Sequence, residues 1–268
     1  MCSSDLRPRA PIGVRRRHGD RRAGGATAGA AAQKLTEPAV SIAFFDPAHR
    51  LSGTARSGLT LLFEDANPKT LPEAPQIHLD ADRVSARFGD AGAVELVPIS
   101  EPAELDGSST RLCEVTGQVS GQRIACLGTA TQTSEPPAWQ ELDCLRSVSA
   151  VFDRENAIFA FARRPRGARG HGDEAVDAKL LLAGAVVAVE RARISTVYDR
   201  DGRQRTAGLE LWLADEDFPR RATGTAQAGV SLTLEGLYVN AAVFEWRMEG
   251  RIGAGAYDVA VRERREAA

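Results

Sequence analysis

The sequence predicts an all-β protein built from two tandem antiparallel β units. Three observations support this fold class: a hydrophobic period of two along most of the chain, turn signals between the apolar runs, and an internal repeat. The 268 residues, 43% apolar and 26% charged, are enough for one large or two ordinary domains. The internal repeat favours two domains.

Short strands with one buried face are predicted from Pro38 onward, because apolar and polar residues alternate there. The alternation is clearest in residues 209–214, 230–235 and 257–262. Turn chemistry separates such segments, as in residues 199–202 (DRDG), which carry the Asp-Gly hairpin signal. This spacing is typical of antiparallel sheets.

One segment, residues 178–193, is ambiguous because its composition also suits a helix. Gly184 lies in its centre, and Val186, Val187 and Val189 are β-branched. Both features disfavour a helix. We therefore expect a strand, a turn and a second strand.

The internal repeat is clearest at an offset of 107 residues. Asp46 and Arg56 recur as Asp153 and Arg163, each Asp preceded by Phe and each Arg by Ala. We expect each Asp to cap a hairpin turn and each Arg to bridge back to it, which is a structural role; catalysis is the alternative.

A later part of the repeat is expected at an offset of 115, where residues 119–124 match residues 234–239 around a glycine turn. A period this long indicates domain duplication, since solenoid repeats are shorter. With the Pro-rich break at residues 134–139, the predicted domains are 35–138 and 139–268, which are 104 and 130 residues long.

Residues 1–34 are predicted to be a disordered basic arm rich in Ala and Gly. They carry a net charge of +6, against −8 for the remainder. Residues 1–6 (MCSSDL) match the translated end of a common sequencing adapter, so we expect them to be artefactual and the true start to be missing. No apolar core of a secretory signal follows the arginines. The acidic remainder would repel phosphate, so no nucleic-acid partner is expected.

Metal, cofactor and membrane signals are absent from the sequence. Cys113, Cys126 and Cys144 form no Cys-x-x-Cys pair, and the four histidines have no metal-ligand spacing. We expect buried free thiols, a reducing cytoplasmic compartment, and neither metal nor cofactor. No apolar run is long enough for a membrane-spanning helix.

The densest cluster of titratable residues beside glycines is the candidate catalytic site. His171 lies next to Asp173 and Glu174, and such a group could carry out acid/base chemistry. A solvated loop between strands contains the same residue types and is the more common alternative.

An apolar ligand site is predicted on residues 239–248. Phe244, Trp246 and Met248 share one face there, and Trp212 is a further candidate. Either both faces of this strand are buried or a bulge switches the face near Val243. Plain core packing is the alternative explanation.

Several short motifs carry a family resemblance. The opening residues 44–47 (FFDP), followed by residues 51–53 (LSG), and the closing residues 244–257 (FEWRMEGRIGAGAY) resemble the tandem lipocalin-like proteins that include carotenoid 1,2-hydratase, also called hydroxyneurosporene synthase. The resemblance extends over roughly residues 38–262. It implies two antiparallel barrels of roughly eight to ten strands each.

Two functions follow as hypotheses. The first is binding of an apolar small molecule, a lipid or an isoprenoid, in a lipocalin-like cavity without catalysis. The alternative, implied by the resemblance, is a cofactor-free lyase that adds water to an isoprenoid double bond. Such a reaction needs a strong general acid, an apolar cavity, aromatic faces and a positioned water.

Overall fold

The computed structural model describes residues 39–80, 83–234 and 236–262. The predicted basic arm, including residues 1–6, lies outside these described residues. Within them, nineteen strands and two 3-10 turns account for the regular structure, so the all-β prediction is confirmed. No helix in this part of the chain has the length and hydropathy needed to cross a membrane.

The first sheet is antiparallel and contains ten of the described strands, in the order β4-β3-β2-β1-β10-β9-β7-β6-β5, with β8 paired to β9. Its strands are β1 (Ala39–Asp46), β2 (Leu51–Arg56), β3 (Leu59–Glu64), β4 (Asn67–Leu71), β5 (Gln76–Asp80), β6 (Arg83–Arg87), β7 (Gly92–Pro98), β8 (Ala103–Leu105), β9 (Ser108–Val119) and β10 (Gln122–Thr133). A 3-10 turn, Gly89–Ala91, precedes β7.

The second sheet contains the nine remaining described strands, in the order β14-β13-β12-β11-β19-β18-β17-β16-β15. They are β11 (Leu142–Val151), β12 (Ala157–Pro165), β13 (Ala175–Leu182), β14 (Ala185–Ala188), β15 (Arg191–Tyr198), β16 (Gln204–Trp212), β17 (Arg220–Leu234), β18 (Leu237–Met248) and β19 (Arg251–Arg262). The 3-10 turn His171–Asp173 precedes β13. Both sheets curl into half-barrels.

The two sheets share one strand order, apart from the short additional strand β8, and this supports a duplication. The offset of 107 matches β2 to β12, where Leu51 and Ile158 both lie in an inner core. Along β1 and β11 it exchanges the two faces, because Phe44 lies in an inner core and Val151 in the core between the sheets.

The offset of 115 is wrong, because it matches the β9–β10 turn to the β17–β18 turn. The true counterpart is the β18–β19 turn, where Glu249 and Gly250 have φ of 50° and 80°, as Ser120 and Gly121 have 50° and 78°.

The ambiguous segment of residues 178–193 forms strands and a turn, as predicted. Strands β13 and β14 pair as a hairpin across Ala183 and Gly184, whose φ values are 48° and 81°. Glycine adopts this left-handed conformation without the strain of a Cβ. The segment then continues into β15.

The two half-barrels pack against each other through a third apolar core. Phe44 belongs to the core inside the first sheet and Trp246 to the core inside the second. The core between the sheets includes Phe45, Phe159 and Val243. Because successive side chains on a strand point to opposite faces, Phe44 and Phe45 bury both faces of β1. That residues 35–138 and 139–268 are separate folding domains stays a prediction.

Strand β18 is buried on both faces, which is one of the two arrangements predicted for it. Residues 239–244 are all buried. Its pairing with β19 is continuous from Leu237 to Met248. The irregularity lies on the neighbouring strand β17, between Ala226 and Ala228, opposite Val243 and Phe244.

Replacing Gly255 with Ala is expected to lower the free energy of unfolding by about 1–3 kcal/mol. Gly255 pairs with Ala150 in the centre of the second sheet, and a Cβ there would collide with the backbone of Ser149 and Ala150. Urea denaturation measures the effect. Gly170→Ala is the control, because a Cβ there meets open space. Equal unfolding midpoints for the two variants would contradict the packing described.

Candidate ligand-binding cleft

A cleft of about 610 Å³ opens between the two sheets, at the end of the molecule where β1 and β11 terminate. This volume lies within the range of small-molecule sites. Its lining residues come from both sheets and are Phe45, Asp46, Pro47, Ala48, Arg50, Ser52, Phe63, Asp65, Ala66, Ala125, Cys126, Leu127, Val151, Phe152, Gln227, Val243, Phe244, Glu245, Ile252, Gly253 and Ala254.

Four phenylalanines are among the residues that line the cleft. Phe45 and Phe63 come from the first sheet, and Phe152 and Phe244 line the second-sheet side. Phe45 and Phe152 match in the sequence at the offset of 107, but Phe45 lies in the core between the sheets and Phe152 packs against the inner core of the second sheet. This cleft lies between the two sheets, and each sheet also has an apolar core on its inner face. A ligand cavity inside one of the β units stays a prediction.

Asp46 ends β1 and is the buried carboxylate of the cleft wall, with 3% of its surface exposed. Its Oδ1 accepts hydrogen bonds from the backbone N–H groups of Ala48 (3.1 Å) and His49 (3.3 Å). Nδ1 of His49 lies 2.8 Å from Oδ2, at hydrogen-bond distance. The side chain therefore caps the β1–β2 turn and also borders the cleft.

Asp153 caps the corresponding turn in the second copy. Its Oδ1 accepts hydrogen bonds from the backbone N–H of Glu155 (2.8 Å) and from Nδ2 of Asn156 (2.7 Å). Asn156 is the counterpart of His49 at the offset of 107. The turn thus uses a neutral amide in one copy and an imidazole in the other.

The predicted bridges from the repeated arginines to these aspartates are wrong. Arg56 instead pairs with Asp258 across the two sheets, at 3.2 Å, and Arg163 pairs with Asp106. Alternation explains the difference for Arg56, because it places this side chain on the face of β2 opposite to the buried Ala55. Burial raises the pKa of Asp258, an effect that the Arg56 guanidinium opposes.

The predicted catalytic residues lie outside the cleft. His171 begins the 3-10 turn before β13, and its side chain is outside the described part of the structure. Asp173 accepts a hydrogen bond from the backbone N–H of Arg169 at 2.9 Å. Glu174 forms an ion pair with Arg146, and both side chains are 1% exposed. Acid/base catalysis by this trio stays a prediction.

Arg146 is the centre of a buried polar network that the sequence analysis missed. It donates hydrogen bonds to Thr196 Oγ1, Tyr257 Oη and the carbonyl oxygen of Ile194, each at 3.1 Å. Burial lowers the pKa of Arg146, but Tyr257 and Glu174 outweigh this effect and leave the pKa raised. The guanidinium therefore stays charged inside the second half-barrel.

Of the four predicted ligand-binding residues, Phe244 lines the cleft. Trp246 and Met248 are packed in the core of the second sheet, where Trp246 stacks on Phe244 with ring centroids 5.4 Å apart. Trp212 is partly buried, and the Arg191 guanidinium lies over its ring, with Cζ 4.1 Å from the centroid of the Trp212 ring. Phe244 belongs to the same core as Trp246.

Cys113, Cys126 and Cys144 are free thiols, and Cys126 lines the cleft. Burial raises the pKa of the Cys126 thiol to about 12, and the nearby Asp46 carboxylate adds to this effect. A thiol with such a pKa is protonated at neutral pH and is a poor nucleophile. Within the described residues, no cluster of three His, Cys, Asp or Glu side chains could hold a metal ion.

The free energy of unfolding is expected to fall as the pH rises from 9.0 towards 12. Burial raises the thiol pKa values of Cys113 and Cys126 from 9.0 to about 12 in the folded protein. Above pH 9.0 the unfolded chain loses these protons while the folded chain keeps them, so rising pH favours unfolding. Urea titrations across this range measure the slope. It should be smaller in a Cys113→Ala, Cys126→Ala double variant, and an unchanged slope would contradict the assignment.

Comparison with known proteins places this architecture among solved folds. No protein-family model matches the chain, and no curated protein matches it. The crystal structure of CghA matches with a TM-score of 0.59 at 11% identity, covering 87% of this chain and 90% of the other. Kievitone hydratase from Nectria haematococca matches with a TM-score of 0.55 at 9% identity, covering 85% and 89%.

A further structure, an AttH candidate from Nitrosomonas europaea, matches with a TM-score of 0.55 at 12% identity, covering 84% of this chain and 92% of the other. Similarity at these identities shows a shared fold and no more. The chain therefore has a tandem lipocalin-like fold, with a cleft of ligand size between its two half-barrels.

Proposed function

We propose that this protein binds an apolar small molecule, a lipid or an isoprenoid, in the cleft between its two sheets. The observation that carries the proposal is the 610 Å³ volume of a cleft whose lining includes Phe45, Phe63, Phe152 and Phe244. Ligand sites of this size are typically lined by apolar and aromatic side chains with a few placed polar groups. Asp46 supplies such a polar group.

The size of the expected ligand follows from the energetics of burial. Each buried CH₂ group contributes about 0.8 kcal/mol. Association costs at least about 4 kcal/mol in lost translational and rotational freedom. A ligand that buries about fifteen carbons would then gain roughly 8 kcal/mol net, which corresponds to a Kd of about 1 μM. Shorter chains are expected to bind too weakly to copurify.

The test is organic extraction of the purified full chain, followed by mass spectrometry. We expect recovery of a lipid or isoprenoid in near-stoichiometric amount. An unrelated protein purified in the same way provides the background. Recovery no greater than this background, together with no binding of added lipids or isoprenoids by the extracted protein, would contradict the proposal.

A second candidate function is a cofactor-free lyase that hydrates an isoprenoid double bond. The observation that favours it is the Asp46–His49 pair, a carboxylate and an imidazole 2.8 Å apart, with Asp46 in the apolar cleft wall. Such a pair could transfer a proton to a bound alkene. The structural neighbour named kievitone hydratase shares the fold, which alone does not transfer an activity.

Incubation with isoprenoid alkenes in isotopically labelled water separates the two candidates. A lyase would form an alcohol that carries one labelled oxygen, and His49→Ala would reduce the rate. Binding of the alkene without any labelled product would exclude hydration of that substrate and leave the binding function.

A further inference from the structure

The Asp46 carboxylate has room to accept one more hydrogen bond. From the described residues it accepts two backbone N–H groups at Oδ1 and lies at hydrogen-bond distance from one imidazole nitrogen at Oδ2. A carboxylate offers about four lone-pair directions. One lone-pair direction at Oδ2 is therefore left. Asp46 is 3% exposed and is one of the residues that line the cleft.

The ion-pair partner of Asp46 is His49, whose Nδ1 lies 2.8 Å from Oδ2 and is cationic only when the imidazole is protonated. Among the described residues, no Lys or Arg lies within ion-pair distance of Asp46. Arg50, the cationic residue of the lining, pairs with Asp65 at 2.8 Å at the exposed rim. Glu245 pairs with Arg247 at 2.9 Å. The wall of the cleft is therefore acidic, and its charge is concentrated at Asp46.

We propose that the ligand of this cleft carries a head group that donates a hydrogen bond to Asp46 Oδ2 and bears no negative charge, such as a hydroxyl or an ammonium group. The inference rests on the proposed function and specifies its ligand class. A carboxylate head group would bring a second negative charge beside Asp46 in apolar surroundings, which is strongly unfavourable. Free fatty acids are excluded for the same reason.

The second copy of the repeat supplies a matched control. Asp153 caps the same turn, with a side chain that is 47% exposed, but it is not part of the cleft lining. Asp46→Asn and Asp153→Asn make the same chemical change in equivalent turns. An Asn side-chain oxygen can still accept the backbone N–H groups, so both turns are expected to persist.

The experiment is a titration of the full chain with three probes of equal length, dodecanol, dodecylamine and dodecanoate, each below its aggregation concentration at neutral pH. Intrinsic tryptophan fluorescence reports binding; Trp246, one of the three tryptophans, stacks on Phe244, a residue of the cleft lining. We expect the alcohol and the amine to bind at least about tenfold more tightly than the carboxylate. Asp46→Asn should reduce the amine-to-carboxylate ratio to below about threefold, and Asp153→Asn should leave it unchanged.

Equal affinity for dodecanoate and dodecanol in the native chain would overturn the ligand class while leaving the binding function intact. An undiminished ratio in Asp46→Asn would overturn the assignment to Asp46. If none of the three probes binds, the proposed function fails and the inference fails with it. Thermal unfolding of each variant establishes that the compared proteins are folded.

Discussion

Replacing Arg146 with Met is expected to lower the free energy of unfolding by about 3–5 kcal/mol, because it removes one partner of a buried ion pair. Arg146 and Glu174 are each 1% exposed, so the Glu174 carboxylate would stay buried without its counter-charge. Thr196 and Tyr257 would lose hydrogen bonds at the same time. Urea denaturation followed by tryptophan fluorescence measures the loss.

Two further variants make this prediction specific to the buried pair. An Arg146→Met, Glu174→Leu double variant removes both charges and should lose less stability than the single variant. Arg83→Met removes an ion pair to Glu95 whose side chains are 64% and 44% exposed, and should cost no more than about 1 kcal/mol. A loss for Arg146→Met as small as that for Arg83→Met would contradict the burial of the network.

Replacing Ala125 with Trp is expected to abolish most ligand binding while leaving the protein folded. Ala125 is exposed on β10 and lines the cleft, so a large side chain there would occupy ligand space without entering a packed core. The expected loss of affinity is about tenfold to a hundredfold, or about 1.4–2.8 kcal/mol. Titration with dodecanol measures it.

The matched control for this variant is Ala185→Trp. Ala185 is also exposed on a strand, β14, but it does not contribute to the cleft lining. We expect this variant to bind dodecanol as the native chain does. Stability should change by about 0.5 kcal/mol or less in both variants, as for most surface substitutions. Equal binding by Ala125→Trp and Ala185→Trp would place the ligand elsewhere.

Local alternation was sufficient to predict the strands, because the period of two reports which side chains share a face. The same alternation also indicates the buried position of Arg146, which the sequence prediction did not include. Cys144, Arg146 and Val148 alternate along β11 and share its buried face, which marked Arg146 as a buried charge. Such a charge requires a partner. Glu174 is that partner, although its glycine-rich surroundings suggested a solvated loop.

Pairing between distant strands could not be predicted from local patterns. The β9–β10, β17–β18 and β18–β19 hairpins all turn at a glycine of positive φ, so their sequences look alike. What distinguishes them is that β10 pairs with β1, as β19 pairs with β11. This long-range pairing identified the true counterparts within the repeat.

The cleft itself depends on the docking of the two sheets. Phe45 and Phe152, which lie 107 residues apart, both line the cleft because the ends of β1 and β11 meet there. The apolar run around Phe244 indicated one wall of the site, but the pattern of Trp246 and Met248 on the same strand is equally that of core residues. The repeated Phe-Asp pair was the remaining signal in the sequence for this location.

The decisive measurement is a crystal structure of the full chain grown with dodecanol. We predict that the alkyl chain lies between Phe45 and Phe152, with its hydroxyl group at hydrogen-bond distance from Asp46 Oδ2. A ligand bound inside either half-barrel, or a cleft that stays empty at saturating dodecanol, would contradict the assignment of this cleft as the binding site.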